Sequence, residues 1–206
     1  GDWKIILLVV VLAILVGLPL VYLYPTGRAR LNAYITSLNN PLESSYHIQR
    51  SLEAIVKGGW FGVGIGQADT KFTGLPLAPT DSIYAVIVEE TGILGGLFVV
   101  VLYILLVWRG LVISKNAPDQ LGSLLGFGLT AWIAIEGLMN MAVIVGLLPF
   151  TGNALPFISA GGSSMLVTLT AIGIIMNISR LSIHQKSSER SPHSAVVDLR
   201  RRDGRG

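Results

Sequence analysis

The sequence contains no cysteine, which excludes a disulfide framework, a thiolate nucleophile and a cysteine-based metal site. It is also poor in charge, because Asp, Glu, Lys and Arg make up 13% of its 206 residues, against roughly 25% in a typical soluble domain. Hydrophobic residues, by contrast, make up 51%. This balance argues against a water-soluble fold and directs attention to long apolar runs.

Four apolar runs have the length of membrane spans. A helix rises 1.5 Å per residue, so about 20 residues cross a hydrocarbon core of roughly 30 Å. No run shows the alternating pattern of a barrel strand. The sequence therefore predicts an all-α polytopic membrane protein, with a membrane domain over residues 1–180 and spans over about 5–24, 83–107, 121–148 and 163–180.

Basic residues predict the orientation of the spans, because Lys and Arg concentrate in short cytoplasmic loops. The turn over 149–162 carries no Lys or Arg, whereas the loop over 25–82 is too long to count strongly in this rule. Both termini are therefore predicted to be cytoplasmic, and the long loop is predicted to be extracellular. The basic residues on the predicted cytoplasmic side include Lys4, Arg109, Lys115, Arg180 and Lys186.

The segment 181–206 is predicted to be a disordered cytoplasmic tail, since it is rich in Ser, Arg, His and Asp and has few bulky apolar residues. The whole chain has a formal net charge of +3, and several arginines lie in this tail. Membrane orientation and anionic headgroups explain basic residues beside a span. We therefore expect no nucleic-acid partner.

The long loop contains two recognisable segments. Residues 46–57 carry apolar side chains at helical spacing, with Arg50 and Lys57 on other faces, which predicts an amphipathic helix at the membrane surface. Residues 58–67 are rich in glycine, but neither a preceding βαβ unit nor a Walker lysine accompanies them. A tight turn at the membrane surface is therefore favoured over a nucleotide site.

Three carboxylates lie near the start of the second predicted span. Asp81 directly precedes the span, where partial desolvation by the bilayer interface would make a carboxylate a better general base. Helix capping by Thr80, Asp81 or Ser82 is the alternative, and the local pattern alone favours it. Glu89 and Glu90 lie two turns deeper, where carboxylates are costly enough to be functional candidates. A helix–helix hydrogen bond or contact with a water-filled cavity would also explain them.

Polar residues also occur in the last two predicted spans. Trp132, Glu136 and Asn140 recur every four residues and so share one helix face, and a structural polar contact is the favoured role for Glu136. Ser163 and Ser164 begin the fourth span, where free backbone N–H groups suit a phosphate. Helix capping by Ser163 explains this pattern equally well.

Three stretches, in this order, resemble the SEDS (shape, elongation, division and sporulation) family of bacterial cell-wall proteins, which includes FtsW and RodA. They are SLEAIVKGGWFGVGIGQ, LPLAPTDSIYAVIVEETGILG and GLLPFTGNALPFISAGGSSMLVTLTAIGIIMNISR, within about residues 46–180. The family has ten spans, so the resemblance implies that this chain corresponds to the last four, with the large fourth extracellular loop. The GLLP turn and the NISR ending slightly favour the FtsW branch.

The resemblance implies an inverting glycosyltransferase that polymerises lipid II into glycan strands. The family's essential loop aspartate, in a Thr-Asp pair, corresponds to Asp81, which makes Asp81 the expected catalytic residue rather than a cap. The family's Glu-Glu pair corresponds to Glu89 and Glu90. We expect Arg50 and Lys57, or a divalent cation such as Mg²⁺ or Mn²⁺, to offset the charge of the leaving pyrophosphate.

The resemblance also implies partners and a location. It implies lipid II as substrate, a class B penicillin-binding protein and other divisome or elongasome membrane proteins as partners, and the bacterial cytoplasmic membrane, including the division septum, as the location. Two other functions are kept as alternatives: a lipid II flippase, which forms no bonds, and a non-catalytic scaffold for a penicillin-binding protein. We expect four spans of a ten-span cavity to be inactive alone.

Overall fold

The computed structural model describes residues 3–39, 46–68, 80–149 and 151–189. The predicted tail beyond residue 189 and two stretches of the predicted long loop lie outside the described residues. Within the described part all regular elements are helices. They are α1 (Trp3–Leu23), α2 (Pro25–Asn39), α3 (Tyr46–Gly58), α4 (Ile83–Lys115), α5 (Gln120–Ile144) and α6 (Gly162–Glu189).

Three of these helices, α4, α5 and α6, are long and apolar enough to cross a membrane. A fourth crossing is present if α1 and α2, which meet at an angle of 94°, together form one bent span. Large apolar side chains such as Leu102, Leu138 and Leu166 are exposed on the three long helices, as lipid-facing residues would be. The predicted all-α polytopic membrane fold is confirmed.

Helix α2 differs from the sequence prediction, which indicates only a long loop from Pro25 onward. Pro25 occupies the first position of α2, where a missing N–H is not needed and the fixed φ of proline suits a helix. Tyr34 on α2 donates a hydrogen bond from its hydroxyl to the carbonyl oxygen of Leu147, at 2.7 Å. This contact joins α2 to the turn that follows α5.

Helix α5 ends at Ile144, before the predicted end of its span, because the chain there turns in a Schellman motif. Gly146 has a φ of 76°, a left-handed conformation that glycine adopts readily. Its N–H donates to the carbonyl oxygen of Val143 at 3.0 Å, and the N–H of Leu147 donates to that of Ala142 at 2.8 Å. These two bonds satisfy carbonyl groups at the helix end.

The other two long helices extend beyond the predicted spans. Helix α4 continues to Lys115 and α6 continues to Glu189, so residues 181–189 are helical where the sequence predicts a disordered tail. The polar side chains in these extensions, mostly Lys, Gln, Glu and Ser, are compatible with helix. A hydropathy pattern indicates where a span leaves the hydrocarbon core of the bilayer. The backbone hydrogen bonds of the helix can continue past that point.

Helix α4 is central to the packing, since α3, α5 and α6 all contact it. Where α4 and α5 cross, a Cβ atom on Gly110 would lie 2.4 Å from Thr130 Oγ1, and one on Gly137 would lie 2.6 Å from the Tyr103 ring. Small residues thus allow the two helices to approach closely. A buried apolar cluster lies where the start of α4 meets the end of α5. It includes Ala54, Tyr84, Val88, Met141, Ile144 and Leu155.

Candidate functional site around Asp81

Two side chains from other parts of the chain hold the backbone just before α4. Asn140 on α5 donates from Nδ2 to the Asp81 carbonyl oxygen at 2.9 Å. Ser159, in the turn before α6, donates from Oγ to the Thr80 carbonyl oxygen at 2.5 Å. The hydrogen-bond ladder of α4 begins only at the Ser82 carbonyl, so the two preceding carbonyl groups obtain their donors from these side chains.

The Asp81 side chain is half-buried, and its carboxylate forms no hydrogen bond or ion pair with any residue that the structure describes. Ser82 occupies the N-cap position of α4, and its side chain makes no capping hydrogen bond. Capping by Asp81 or Ser82, which the local sequence pattern favours, is therefore not observed. None of the described residues therefore competes with a ligand for the Asp81 carboxylate.

Helix α4 is interrupted at Gly92, whose φ of 76° and ψ of −178° are not helical. The glycine-rich segment, residues 58–66, lies in this break. It supplies two carbonyl acceptors and two N–H donors to the groups that the break releases. The four bonds run from Ile93 N–H to Gly59 O (2.9 Å), Leu94 N–H to Trp60 O (3.5 Å), Val63 N–H to Glu89 O (2.9 Å) and Gly64 N–H to Glu90 O (3.0 Å).

The close approach of the glycine-rich segment to α4 requires glycine on both sides. A Cβ atom on Gly92 would lie 2.3 Å from the Trp60 carbonyl oxygen, and one on Gly62 would lie 2.2 Å from that of Glu90. Both distances are well below van der Waals contact. The glycines predicted to form a tight turn therefore also let this segment contact the break in α4 and bind its free backbone groups. This contact accounts for glycine here without a nucleotide-binding role.

Glu89 and Glu90 lie on the Asp81 side of the break. Glu89 is 1% exposed, and Glu90 is half-buried. A helical rise of 1.5 Å per residue corresponds to about 12 Å along the axis between Asp81 and Glu89. As the sequence predicts, these carboxylates lie further along α4 than Asp81 and not beside it. Their backbone carbonyl oxygens accept the hydrogen bonds of the glycine-rich segment.

Arg50 and Lys57 flank Glu53 on α3. Arg50 Nη1 lies 2.6 Å from Glu53 Oε2, and Lys57 Nζ lies 3.3 Å from Glu53 Oε1. Hydrogen bonds from Arg50, and then from Lys57, lower the pKa of Glu53, while hydrogen bonds to Tyr46, and then to Glu53, raise the pKa of Arg50. Two cations around one carboxylate leave this basic cluster with a net charge of +1. Neither cation forms an ion pair with Asp81.

Ser163 and Ser164 lie in the first turn of α6, where Ser163 is exposed and Ser164 is half-buried. The Ser163 hydroxyl makes no hydrogen bond with any described residue, so capping by this side chain is not observed. The Ser164 carbonyl oxygen accepts the hydroxyl of Thr168 at 2.7 Å. The turn that leads into α6 reaches Thr80 through Ser159, but neither Ser163 nor Ser164 hydrogen-bonds to Asp81.

On the polar face of α5, Asn140 makes a structural polar contact with the Asp81 backbone. Glu136 Oε2 and Asn140 Oδ1 are buried and have no hydrogen-bond partner among the described residues, so the expected polar contact of Glu136 is not seen at Oε2. The sequence alone does not identify Asn140 or Ser159 as parts of the Asp81 site. Their only signal is a polar residue in an apolar run, which does not reveal its partner. In the described part of the chain, no three His, Asp or Glu side chains group closely enough to hold a metal ion.

Comparison with known proteins identifies the class of protein. The sequence profile of the FtsW/RodA/SpoVE cell cycle protein family matches residues 1–184. The chain is 42% identical over 158 residues to stage V sporulation protein E of Bacillus subtilis (strain 168), which covers 77% of this chain and 43% of that protein. It is 42% identical over 159 residues to a protein named "Probable peptidoglycan glycosyltransferase FtsW" of Thioalkalivibrio sp. (strain K90mix), which covers 76% of this chain and 40% of that protein.

A solved structure described as "Structural coordination of polymerization and crosslinking by a peptidoglycan synthase complex" shares the fold. Its matching chain has a TM-score of 0.64 and 26% sequence identity, over 85% of this chain and 49% of that chain. The present chain thus spans less than half the length of the relatives it matches.

The chain belongs to the FtsW/RodA/SpoVE family of multi-pass membrane proteins. The resemblance found in the three sequence stretches is thereby confirmed. Assignment to the FtsW branch stays a prediction, because both FtsW proteins and stage V sporulation protein E are about equally similar to this chain.

Proposed function

We propose that this chain carries the catalytic carboxylate of a peptidoglycan glycosyltransferase that polymerises lipid II into glycan strands. The observation that carries the proposal is Asp81, a half-buried carboxylate with no partner in the described part of the chain, on a backbone that Asn140 and Ser159 hold. A general base must be free to accept a proton and must be held in place. The glycosyltransferase names of the FtsW relatives support the reaction class.

In the proposed reaction, the 4-hydroxyl oxygen of the acceptor sugar attacks the anomeric carbon of the donor. Asp81 accepts the hydroxyl proton as the new carbon–oxygen bond forms. The bond from the anomeric carbon to the pyrophosphate oxygen breaks on the opposite side, and undecaprenyl pyrophosphate leaves with the electron pair. This displacement inverts the anomeric configuration.

The leaving pyrophosphate needs positive charge nearby, and the basic cluster of Arg50, Glu53 and Lys57 is its proposed source. The cluster keeps a net charge of +1 and lies on α3, which packs against α4. Further substrate contacts are proposed for polar side chains in the segments around Asp81, namely Thr80, Glu89, Glu90, Ser163 and Ser164.

We expect the charge of the basic cluster to control the KM for lipid II. Arg50→Gln or Lys57→Gln lowers the net charge of the cluster to zero and should raise KM several-fold, whereas Glu53→Gln raises the charge to +2 and should lower KM. The differences should shrink in high salt, since the Debye length falls from about 10 Å at 0.1 M to about 3 Å at 1 M. Steady-state kinetics at two salt concentrations measure this. Equal increases in KM for all three variants would show that the helix, and not its charge, matters.

The proposed setting is the bacterial cytoplasmic membrane, with both termini of the chain on the cytoplasmic side and the Asp81 end of α4 facing outward. Division septum and elongation machinery are both compatible with the family. A class B penicillin-binding protein is the proposed partner, since the similar solved structure is described as coordinating polymerisation and crosslinking in one synthase complex. Crosslinking requires the glycan strands that polymerisation supplies.

Product analysis tests the proposed function directly. The purified full-length protein, given fluorescent lipid II in liposomes, should produce glycan chains that form a ladder on a gel. Translocation of the labelled lipid across the bilayer without any chains would instead identify a flippase. Binding of the penicillin-binding protein without either activity would identify a scaffold, and either result would overturn the proposal.

A further inference from the structure

The side chain of Asn140 makes an unusual connection for a residue in a membrane-spanning helix. It is 2% exposed, and its Nδ2 atom donates to two backbone carbonyl oxygens, that of Asp81 at 2.9 Å and that of Asn153 at 2.5 Å. An amide nitrogen has two hydrogens, so both donors of Asn140 are in use. One side chain therefore joins the segment before α4 to the turn after α5.

The chemistry of this position requires an amide. Two carbonyl acceptors need two donors on one atom, and among side chains of this size only Asn provides them. An Asp at position 140 would be nearly the same size, but its carboxylate would face two carbonyl oxygens without a donor. The Asp81 and Asn153 carbonyls would then lose their partners in a buried place, which is costly.

Ser159 makes the matching connection one residue earlier. It is 4% exposed, its Oγ atom donates to the Thr80 carbonyl oxygen at 2.5 Å, and the same atom accepts the N–H of Leu155 at 2.6 Å. The peptide groups before and after the Asp81 Cα atom are thus held by side chains from different parts of the chain, Ser159 and Asn140. The Asp81 carboxylate, by contrast, has no partner in the described part of the chain. The Asp81 backbone is thus held by two side chains, whereas the described residues leave its carboxylate without a competing contact.

We propose that Asn140 and Ser159 are positioning residues that set the place of the Asp81 carboxylate by holding its backbone; the inference rests on the proposed role of Asp81 as general base. Neither side chain touches substrate in this proposal. A displacement of a reacting group by about 1 Å can reduce a rate about 100-fold. Loss of either side chain should therefore lower kcat and leave the KM for lipid II nearly unchanged.

The test compares Asn140→Ala, Asn140→Asp and Ser159→Ala in the full-length protein. We expect kcat for polymerisation to fall about 10-fold to 100-fold, with KM within a factor of about three. Asn140→Asp should lower kcat at least as much as Asn140→Ala, because a carboxyl group cannot donate to both carbonyl oxygens. A residue that serves only folding would lower the folded fraction instead, so kcat is expressed per folded protein.

Asn116→Asp is a control for the change from amide to carboxylate. Asn116 also donates from Nδ2 to a backbone carbonyl, that of Val112 at 2.8 Å, but it is exposed and lies at the opposite end of α4. Its substitution should leave kcat unchanged. If Asn116→Asp reduced kcat as much as Asn140→Asp does, general destabilisation would explain both, and the inference would be overturned.

Two outcomes separate this inference from the proposed function. Loss of activity in Asp81→Asn together with normal kcat in Asn140→Ala and Ser159→Ala would overturn the positioning role alone. Full activity in Asp81→Asn would overturn the proposed function, and the inference with it. If the Asn140 variants fail to fold, Ser159→Ala decides the question, because it removes a single oxygen atom and leaves only the Thr80 carbonyl oxygen and the Leu155 N–H without this partner.

Discussion

Replacing Asp81 with Asn is expected to reduce lipid II polymerisation by the full-length protein at least about 100-fold, which is the lower end of the usual contribution of a general base. Asn has nearly the same size but cannot accept the proton of the attacking hydroxyl. The hydrogen bonds that hold this residue use the backbone carbonyls of Asp81 and Thr80, which the substitution retains. Because the carboxylate has no partner in the described part of the chain, the protein should remain folded.

Fluorescent lipid II on a gel measures the activity of Asp81→Asn, and the thermal unfolding midpoint in detergent measures its stability. Asp119→Asn is a matched control, since Asp119 caps α5 by accepting the Gly122 N–H and Asn caps helices equally well. This control should change neither quantity. Asp81→Asn activity within a few-fold of the unmodified protein, at equal stability, would refute the catalytic assignment.

Replacing Gly92 with Ala is expected to reduce the free energy of unfolding by at least about 3 kcal/mol. The φ of 76° and ψ of −178° lie in a region that essentially only glycine adopts, and a residue with a Cβ there costs about 1–3 kcal/mol. The new Cβ atom would also lie 2.3 Å from the Trp60 carbonyl oxygen, which would force the glycine-rich segment away from α4. Its hydrogen bonds to α4 are each worth about 1 kcal/mol, and they would be lost together.

Two other glycines serve as controls that distinguish the cost of the backbone conformation from the steric clash of the new Cβ atom. Gly66 has a φ of 82° but open space around it, so Gly66→Ala should cost only the backbone strain. Gly128 is helical and also has open space, so Gly128→Ala should be neutral or slightly stabilising. Denaturant unfolding in detergent measures all three variants. A Gly92→Ala protein no less stable than Gly66→Ala would show that the segment does not need to contact α4.

The sequence predicts the all-α membrane fold because hydropathy responds to one physical quantity, the apolar surface that a bilayer accepts. Helix ends depend on other quantities. The end of α5 is set by the left-handed Gly146 and the hydrogen bonds around it, and the start of α2 is set by Pro25. Both residues are visible in the sequence, but glycines and prolines also occur inside other apolar runs of this chain, so their effect is clear only in the structure.

The candidate site is only partly predictable for a related reason. A carboxylate at the start of a span can be recognised locally, and the Thr-Asp pair changes Asp81 from a helix cap to a candidate base through family resemblance. The contacts that hold it come from Asn140 and Ser159, which are separated from their partners by 59 and 79 residues. Nothing in the neighbourhood of Asp81 along the chain indicates them. Likewise, the glycine pattern indicates close backbone approach, but it does not say that the neighbour is a broken helix.

The break in α4 leaves none of the four backbone groups that it releases without a hydrogen-bond partner. An unbroken helix would pair Ile93 and Leu94 with Glu89 and Glu90, and the glycine-rich segment pairs with the same four groups. The four α4 groups are thus paired in both forms, by two hydrogen bonds in a straight helix and by four in the broken one, so a membrane helix is interrupted here without exposing any of these groups to lipid. In the broken form, α4 and the glycine-rich segment supply each other's hydrogen-bond partners. The amides of Val63 and Ile93 should therefore gain and lose protection from hydrogen exchange together.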